Sequence, residues 1–351
     1  MAQTFKSLTE LLNHGFDTVI DVRSPAEYAE DHIPGAVSMP ALSNEERARV
    51  GTIYKQVSAF DAKKLGAALV ARNAADAIEA HMQEKDGAWR PLVYCWRGGQ
   101  RSGSFASILS QIGWRADTIA GGYQSFRRLV HSALYEEPVS NEIILLDGFT
   151  GTAKTEIIAR LPQHGIQVID LEALANHRGS LLGEMPSGQP SQKAFESGLA
   201  CAFAKLDPNR PVIIEAESNK IGRLNIPPTI WAAMCAAPRI ELRADIETRS
   251  AYLAKAYAEI AQDTHRLRDR LQPIRQHRGH AIVDRWEELL QSTELQNLAE
   301  ALVRDHYDHA YEKSRAAHEP RYLARFEAAS LCETGQTDVA RDIAQYIKAR
   351  Q

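Results

Sequence analysis

Absences narrow the problem before any motif does. The 351 residues include four cysteines, Cys95, Cys201, Cys235 and Cys332, and no two lie within a few residues of each other. That spacing argues against a zinc knuckle and against a disulfide framework, so a cysteine that acts here acts alone, as a thiol. No stretch approaches the roughly 20 apolar residues that a membrane span needs. The opening MAQTFKSLTELLNHGF has no long apolar run of the kind a secretory signal carries, and a cytoplasmic protein without membrane association is expected. Positive charge is not in excess either: 41 basic side chains stand against 45 acidic ones, a formal net charge of -4. Affinity for nucleic acid, if present, must therefore come from local patches. There is no internal repeat and no low-complexity tract. Glycine nearly vanishes after Asp245, where Gly279 and Gly335 alone remain of the 21.

What is present reads as two α/β blocks and a helical region. DTVIDV (Asp17 to Val22) and PLVYC (Pro91 to Cys95) look like buried parallel strands that each lead into a polar loop, with helical spacing over Ala62 to Gln83 between them. YEEPVSN (Tyr135 to Asn141) reads as a linker. EIILLDG (Glu142 to Gly148), IQVID (Ile166 to Asp170), PVIIEAE (Pro211 to Glu217) and RIELRA (Arg239 to Ala244) then alternate with helical stretches, the pattern of a doubly wound parallel sheet. The resulting division is residues 1–134, a linker 135–141, an α/β domain 142–245, and a helical region 246–351 packed on that domain. Asp284 to Tyr307 is the clearest helical stretch in this last part.

The segment VYCWRGGQRSGSFASIL (Val93 to Leu109) carries the first candidate site. A strand ends at Cys95, the loop residues Trp96, Arg97, Gly98, Gly99 and Gln100 follow, and a helix begins near Arg101 and Ser102. Such a loop turns backbone N–H groups inward above the positive end of a helix, so it favours a thiolate and suits a tetrahedral oxyanion. A buried cysteine packed as a small hydrophobe is the plainer alternative, but packing does not call for two arginines and two glycines within six residues.

GFTGTAKT (Gly148 to Thr155) is the second. It follows a hydrophobic strand and opens the helix TEIIARL, the context of a Walker A loop. Gly148, Thr150, Gly151, Thr152 and Ala153 would offer backbone amides to phosphates, Lys154 would reach their oxygens, and Thr155 is placed to ligate a magnesium ion. Ala153 stands where the last glycine of the pattern belongs, which limits how closely the backbone approaches phosphate. IIEAES (Ile213 to Ser218) ends its strand on Glu215 and Glu217, as a Walker B strand would, though on a regular strand only one of them faces the site. DLEALANHRGS (Asp170 to Ser180) adds Asp170, Glu172, His177 and Arg178 at a sheet edge of the kind that binds ligands.

DVRSPAEYAEDHIPGAVSMP (Asp21 to Pro40) and IAGGYQSFR (Ile119 to Arg127) resemble the early and late signatures of rhodanese domains, in which Asp21, Arg23, His32 and Gly35 would brace the fold. The usual sulfurtransferase loop has four residues between cysteine and arginine. Five stand here, as in phosphatase-like relatives, which implies a wider pocket that fits selenophosphate. A rhodanese domain with CWRGGQRS followed by GxTGxxKT is similar to the tRNA 2-selenouridine synthase family, as are DLEALANHRGS and QPSQKAFES (Gln189 to Ser197). That resemblance implies two stages on the wobble 2-thiouridine of tRNA: geranylation of sulfur from geranyl diphosphate, then selenation from selenophosphate with loss of the geranyl thiol. Both donors are co-substrates, no tightly bound cofactor is expected, and an enzyme that supplies selenophosphate is a candidate partner. The Walker loop would then hold the diphosphate of geranyl diphosphate in place of ATP.

For tRNA contact the candidates are Arg266, Arg268, Arg270, Arg275 and Arg278 in RLRDRLQPIRQHR, against the single acid Asp269. A solvated helix face explains the same run. Trp231 and Tyr252 lie where an aromatic platform for a base could be. The rival readings are a sulfurtransferase or phosphatase-like enzyme acting without RNA, a small-molecule kinase, and a nucleotide-dependent scaffold.

Overall fold

A computed structural model describes the chain apart from residues 180–182, 257, 259–263, 310, 313–319 and 351 and the side chains of Arg266 and His277. Its contacts divide it into two units, residues 1–137 with 190–205, and residues 138–189 with 206–351.

The first unit is built on five short strands: β1 (Ala2–Gln3), β2 (Thr18–Asp21), β3 (Val37–Ser38), β4 (Pro91–Tyr94) and β5 (Asp117–Ile119). They pair in the order β1-β5-β4-β2-β3, every pair parallel. All four residues of β4 are buried, as a strand covered on both faces requires. Helix α1 (Leu8–Leu12) starts at a Ser7 cap, and α2 (Pro25–Glu30) starts with Ser24 and Glu27 in a reciprocal capping box. Next come α3 (Asn44–Gln56) and α4 (Ala59–His81), then α5 (Gln100–Ile112) and α6 (Gly122–His131). The core gathers Ile20, Val22, Val93, Cys95, Phe105 and Leu109 with Leu69, Val70 and Ala74 from α4.

In the second unit β6 (Ile143–Gly148), α7 (Lys154–Arg160), β7 (Gln167–Ile169) and α8 (Leu171–Ala175) come first. The next helix, α9 (Gln192–Ala204), belongs to the first unit. β8 (Val212–Glu215), a small hairpin of β9 (Lys220–Ile221) and β10 (Leu224–Asn225), α10 (Pro228–Ala236), β11 (Arg239–Arg243) and α11 (Ile246–Ala256) follow.

The sequence reading makes the remainder wholly helical. Residues Tyr322–Glu327 instead form a strand, β12, parallel to β11. It escapes a periodicity search because it is an edge strand with no fully buried residue. The parallel sheet runs β12-β11-β6-β8-β7, so the chain reverses direction across β6. Ligands bind beyond the carboxyl ends of strands at such a reversal. Helix Glu333–Lys348 closes one face of the sheet through Val339, Ala340, Ile343 and Ile347.

Asp284 to Tyr307 is not one helix: His280–Gln291 and Leu295–Leu302 are separated at Thr293, whose φ is +59°. The break lets Trp286, Leu290, Leu298 and Leu302 meet Leu267 and Leu271 in a separate helical core.

Candidate functional site

The thiol loop is built by packing between two glycine motifs. Cys95 follows β4 and is buried. Its carbonyl accepts from the Tyr123 N–H at 2.9 Å, and the Trp96 carbonyl accepts from the Gln124 N–H at 3.0 Å. A Cβ on Gly122, where φ is +57°, would lie 2.2 Å from the Cys95 carbonyl oxygen and 2.5 Å from the Gly98 nitrogen. The late glycine motif is therefore the back wall of the cysteine loop, which only a residue without a side chain permits.

The sulfur accepts from the Gly99 N–H at 3.3 Å and from the Ser102 hydroxyl at 3.2 Å. Burial alone would push this thiol up. The Ser102 hydroxyl, the N–H groups of Ser102 and Gly99, and the charge of Arg101 outweigh it and hold the thiol below its ordinary value. Gly99 caps α5, so the sulfur also sits at the positive end of that helix.

Arg101 contributes its charge from a fixed position, its Nη1 pairing with Glu27 Oε2 at 3.1 Å. Arg97, Gly99 and Gln100 are exposed. Trp96 stands 5.3 Å from the Tyr123 ring and lines a cavity of about 870 Å³ with Arg127, Arg128 and Lys193.

Asp21 and Arg23 form a fully buried pair behind the loop, with the guanidinium 3.9 Å from the Tyr123 ring centre. His32 stacks on Tyr28 at 3.9 Å. Arg23 packs on Tyr123, whose N–H bonds the Cys95 carbonyl.

At the end of β6, a Cβ on Gly148 would meet Thr152 Oγ1 at 2.6 Å and the Leu242 carbonyl oxygen at 2.8 Å, so the phosphate loop leaves the sheet through a gap one hydrogen wide. Ala153 adopts φ 58°, ψ 36°, the left-handed region the pattern's glycine would take. The strain costs about 1–2 kcal/mol. Its methyl packs in the core with Ile144, Leu146 and Ile157, and burying a group of that size returns about 0.8 kcal/mol. Lys154 Nζ lies 2.8 Å from the Gly148 carbonyl oxygen and 5.4 Å from the Tyr311 ring centre. Burial works against its charge, but Tyr311, Glu217, Glu172 and Asp147 together raise its pKa.

The carboxylates converge more closely than strand alternation implies. β8 stops at Glu215, and the Glu217 N–H turns back to the Glu215 carbonyl at 2.9 Å. That turn brings Glu217 beside Glu172: a Cβ on Gly179 would touch a carboxylate oxygen of each, at 2.7 and 2.3 Å. Glu172 Oε2 accepts from the Thr155 hydroxyl at 2.6 Å, and the Glu172 N–H donates to Glu215 Oε1 at 2.7 Å. Asp170 caps α8 through the Ala173 N–H at 2.7 Å. Burial first, then mutual repulsion, pushes Glu217 up to about 8 and Glu215 well above the carboxylate range. Glu172 and Asp170 are also raised, chiefly by burial.

A cavity of about 460 Å³ opens above the loop. Thr150 to Glu156, Glu172, Arg178 and Glu217 form its polar part, and Tyr252, Leu253, Ala256, Tyr307 and Tyr311 an aliphatic and aromatic wall. His177 is not part of this lining; its Nδ1 accepts from the Gly179 N–H at 3.1 Å. The wall comes from helices beyond β11, where no motif marks it. Arg249, also unmarked, pairs through both Nη atoms with Asp308 at 2.9 Å and reaches the Thr150 carbonyl at 3.3 Å. Among the described residues no group of three or more His, Cys, Asp or Glu could hold a metal ion.

Three arginines of the run are engaged internally. Arg270 pairs with Glu184, Arg275 with Asp284 at 2.6 Å and Glu287 at 3.3 Å, and Arg278 donates to the His306 carbonyl at 3.0 Å. Arg268 is half-buried, and the Arg266 side chain lies outside the described residues. Among the described residues no helix is long and apolar enough to cross a membrane.

A buried thiol in a glycine loop ahead of a helix, and a Walker A-like loop at a strand-order reversal, define a rhodanese-like unit joined to a P-loop unit. Residues 4–129 match the rhodanese-like domain family, and residues 141–341 match the family described as tRNA 2-selenouridine synthase AAA domain. The chain is 35% identical over 261 residues to the tRNA 2-selenouridine synthase of Marinobacter nauticus, covering 72% of this chain and 68% of that protein. It is 36% identical to the synthase of Alcanivorax borkumensis, over 66% of this chain and 64% of that one, and 37% identical to that of Nitrosomonas europaea, over 61% and 56%. The chain belongs to the tRNA 2-selenouridine synthase family. The matched stretch spans between about half and two thirds of these relatives' own length.

Proposed function

We propose that this chain is a cytoplasmic transferase that replaces the sulfur of wobble 2-thiouridine in tRNA by selenium, in two stages served by its two loops. The observation that carries this reading is the composition of the cavity above Lys154. One side offers a phosphate loop and the other an aliphatic and aromatic wall, a lining suited to an amphipathic diphosphate such as geranyl diphosphate.

In the first stage the 2-thio sulfur attacks the carbon bearing the diphosphate. The S–C bond forms, the C–O bond breaks, and diphosphate leaves with the electron pair onto the loop amides and Lys154. Lys154 must exchange the Gly148 carbonyl for phosphate oxygen. Alkylation at sulfur removes the N3 proton of the base, and Glu172 and Glu217 are the carboxylates in the cavity to receive it. A group near 8 is well matched to proton transfer at neutral pH.

Alkylation also makes C2 electrophilic and turns sulfur into a leaving group. In the second stage the selenium of selenophosphate adds at C2, the C2–S bond breaks, and the geranyl thiol departs with the selenol proton. Water then cleaves the Se–P bond, releasing phosphate and leaving 2-selenouridine with its N3 proton restored. The N–H groups of the Cys95 loop, with Arg97 and Arg101, receive the phosphate of selenophosphate, and the Cys95 thiolate serves this stage. A selenophosphate-producing enzyme would supply the donor.

The test is mass spectrometry of nucleosides from 2-thiouridine tRNA incubated with the protein and both donors. The expected products are 2-selenouridine, and the geranylated intermediate when selenophosphate is withheld. Unchanged 2-thiouridine with folded protein would overturn the reading. In Lys154→Ala, surviving geranylation would remove the phosphate loop from the first stage, and competition between geranyl diphosphate and ATP tests its occupant directly.

A further inference from the structure

Of the arginines that the sequence offers for RNA, Arg270 and Arg275 pair with acids of their own chain and Arg278 bonds to His306, which leaves open where a nucleic acid would sit. The helical hairpin α3–α4 of the first unit answers with three observations. First, α3 runs for 13 residues without one buried side chain and packs along α4. It meets the core only through the partly buried Val50, so most of its surface is left to solvent or to a partner. Second, the exposed large hydrophobics among the described residues are Met1, Val37, Tyr54, Val57, Phe60 and Ile112, and three of these lie between positions 54 and 60. Tyr54 is 57% exposed, Val57 75% and Phe60 69%. Third, positions 44 to 72 carry Arg47, Arg49, Lys55, Lys63, Lys64 and Arg72 against Glu45, Glu46 and Asp61. That is a surplus of three positive charges over this stretch, with Asp76 and Glu79 set apart at the far end of α4, in a chain whose formal net charge is -4.

Position decides between a solvated hairpin and a binding face. A cavity of about 900 Å³ is lined by Arg47, Tyr54, Lys55 and Lys63 from the hairpin and by Gln100 and Arg101 from the start of α5. Arg101 is therefore shared between this cavity and the sulfur of Cys95, whose pKa it lowers by charge. Glu27 pins Arg47 at 2.8 Å and Arg101 at 3.1 Å. Lys64 pairs with Asp61 at 2.7 Å and lies 5.2 Å from the Phe60 ring centre. Lys55 and Lys63 are exposed and pair with no acid among the described residues.

Exposed rings interleaved with unpaired cations are what single-stranded RNA recognition uses: the cations take phosphates, and unstacked bases lie on the rings. The core of a protein–protein interface is instead depleted of lysine.

We propose that the α3–α4 hairpin is an RNA-docking face that holds the anticodon loop of the substrate, with Lys55 and Lys63 on phosphates and Tyr54 and Phe60 under unstacked bases, next to the Cys95 loop. This rests on the proposed function for the choice of RNA, and deepens it by naming where the RNA binds.

The experiment uses the full chain and 2-thiouridine tRNA in filter binding across a range of potassium chloride, with Cys95 alkylation by iodoacetamide as the check that the loop is intact. In Lys55→Gln/Lys63→Gln, binding weakens about tenfold at low salt, and the slope of log affinity against log salt becomes shallower by about 1.5, near 0.7–0.9 per phosphate contact. Tyr54→Ala/Phe60→Ala weakens binding about tenfold with the slope unchanged. Alkylation keeps its wild-type rate in both.

Variants that bind tRNA like the wild type would overturn the docking face, whether or not the wild type makes 2-selenouridine. So would variants that keep RNA binding but lose association with a selenophosphate-producing enzyme, which would make the hairpin a protein-docking face. Wild-type protein that binds tRNA without modifying it would refute the proposed activity and leave the docking face standing. Wild-type protein that binds no tRNA would refute both.

Discussion

Cys95 illustrates how a few hydrogen bonds offset the effect of burial on a thiol. Burial favours the neutral form, and the Ser102 hydroxyl heads the groups that reverse the balance. Ser102→Ala removes that donor, so the thiol titrates at higher pH. The midpoint of iodoacetamide alkylation should move to the alkaline side, and selenation at neutral pH should slow while geranylation is untouched. An unmoved midpoint would shift the credit to the Gly99 amide and the helix end. Glu217 runs the other way. It binds its proton at about 8 in the folded chain and near 4.5 otherwise, so the folded state holds that proton more tightly throughout the interval. This stabilisation is full below 4.5 and is lost as pH rises through about 8. Glu217→Gln should therefore flatten the fall of the urea midpoint between about pH 5 and pH 8, in part, because Glu172 and Glu215 are raised as well. A wild-type slope retained in the variant would place the proton on a neighbour. Alternation along IIEAES foretold one carboxylate at the site. Glu217 lines the cavity and Glu215 accepts from the Glu172 N–H instead. What alternation could not give is the turn after Glu215 that sets Glu217 beside Glu172, because the length of a strand is a property of its partners.

Among the elements, α9 shows what local pattern cannot reveal. Its sequence lies between β7 and β8, yet it packs with the first unit. Arg127 on α6 donates to Glu196 Oε2 at 2.6 Å, Ser197 Oγ at 2.9 Å and the Lys193 carbonyl at 3.1 Å. Ser197 in turn donates to Asp31 Oδ2 at 2.8 Å, the oxygen that also accepts from Tyr123 at 2.6 Å. α9 is thus tied to the residue that backs the cysteine loop. Arg127→Ala leaves Glu196 largely buried without its cation, which costs on the order of 3 kcal/mol. Limited proteolysis should then cut near Pro190 at an increased rate, with some loss of Cys95 alkylation selectivity; unaltered cleavage would mean that Leu199 and Phe195 hold the helix unaided. The strands EIILLDG, PVIIEAE and RIELRA and both anion loops were legible because hydrophobic runs and glycine spacing are local. The allegiance of α9, the edge strand Tyr322–Glu327 and the aromatic wall of the cavity were not. Each is defined by residues far away in sequence, and no period or motif encodes them.

For the molecule as a whole, the question is how the two proposed stages would share one chain that passes between its units at about residues 137, 189 and 205. The intermediate of the proposed sequence is carried on tRNA, so it is not covalently held by either unit and can in principle leave. On the proposed sequence Lys154→Ala and Cys95→Ser would disable different stages, one in each unit. Alone, Lys154→Ala should yield unchanged 2-thiouridine, and Cys95→Ser should accumulate the geranylated nucleoside. Mixed in equal amounts with both donors, the two variants should restore 2-selenouridine, because tRNA released by one chain is substrate for the other. The restored rate should rise with the concentration of Lys154→Ala protein, as a second encounter requires. If the mixture stays inactive while each variant shows its single defect, the intermediate does not dissociate between stages. The two loops would then have to act on one bound tRNA within one chain, and the hairpin α3–α4 would have to hold that tRNA through both.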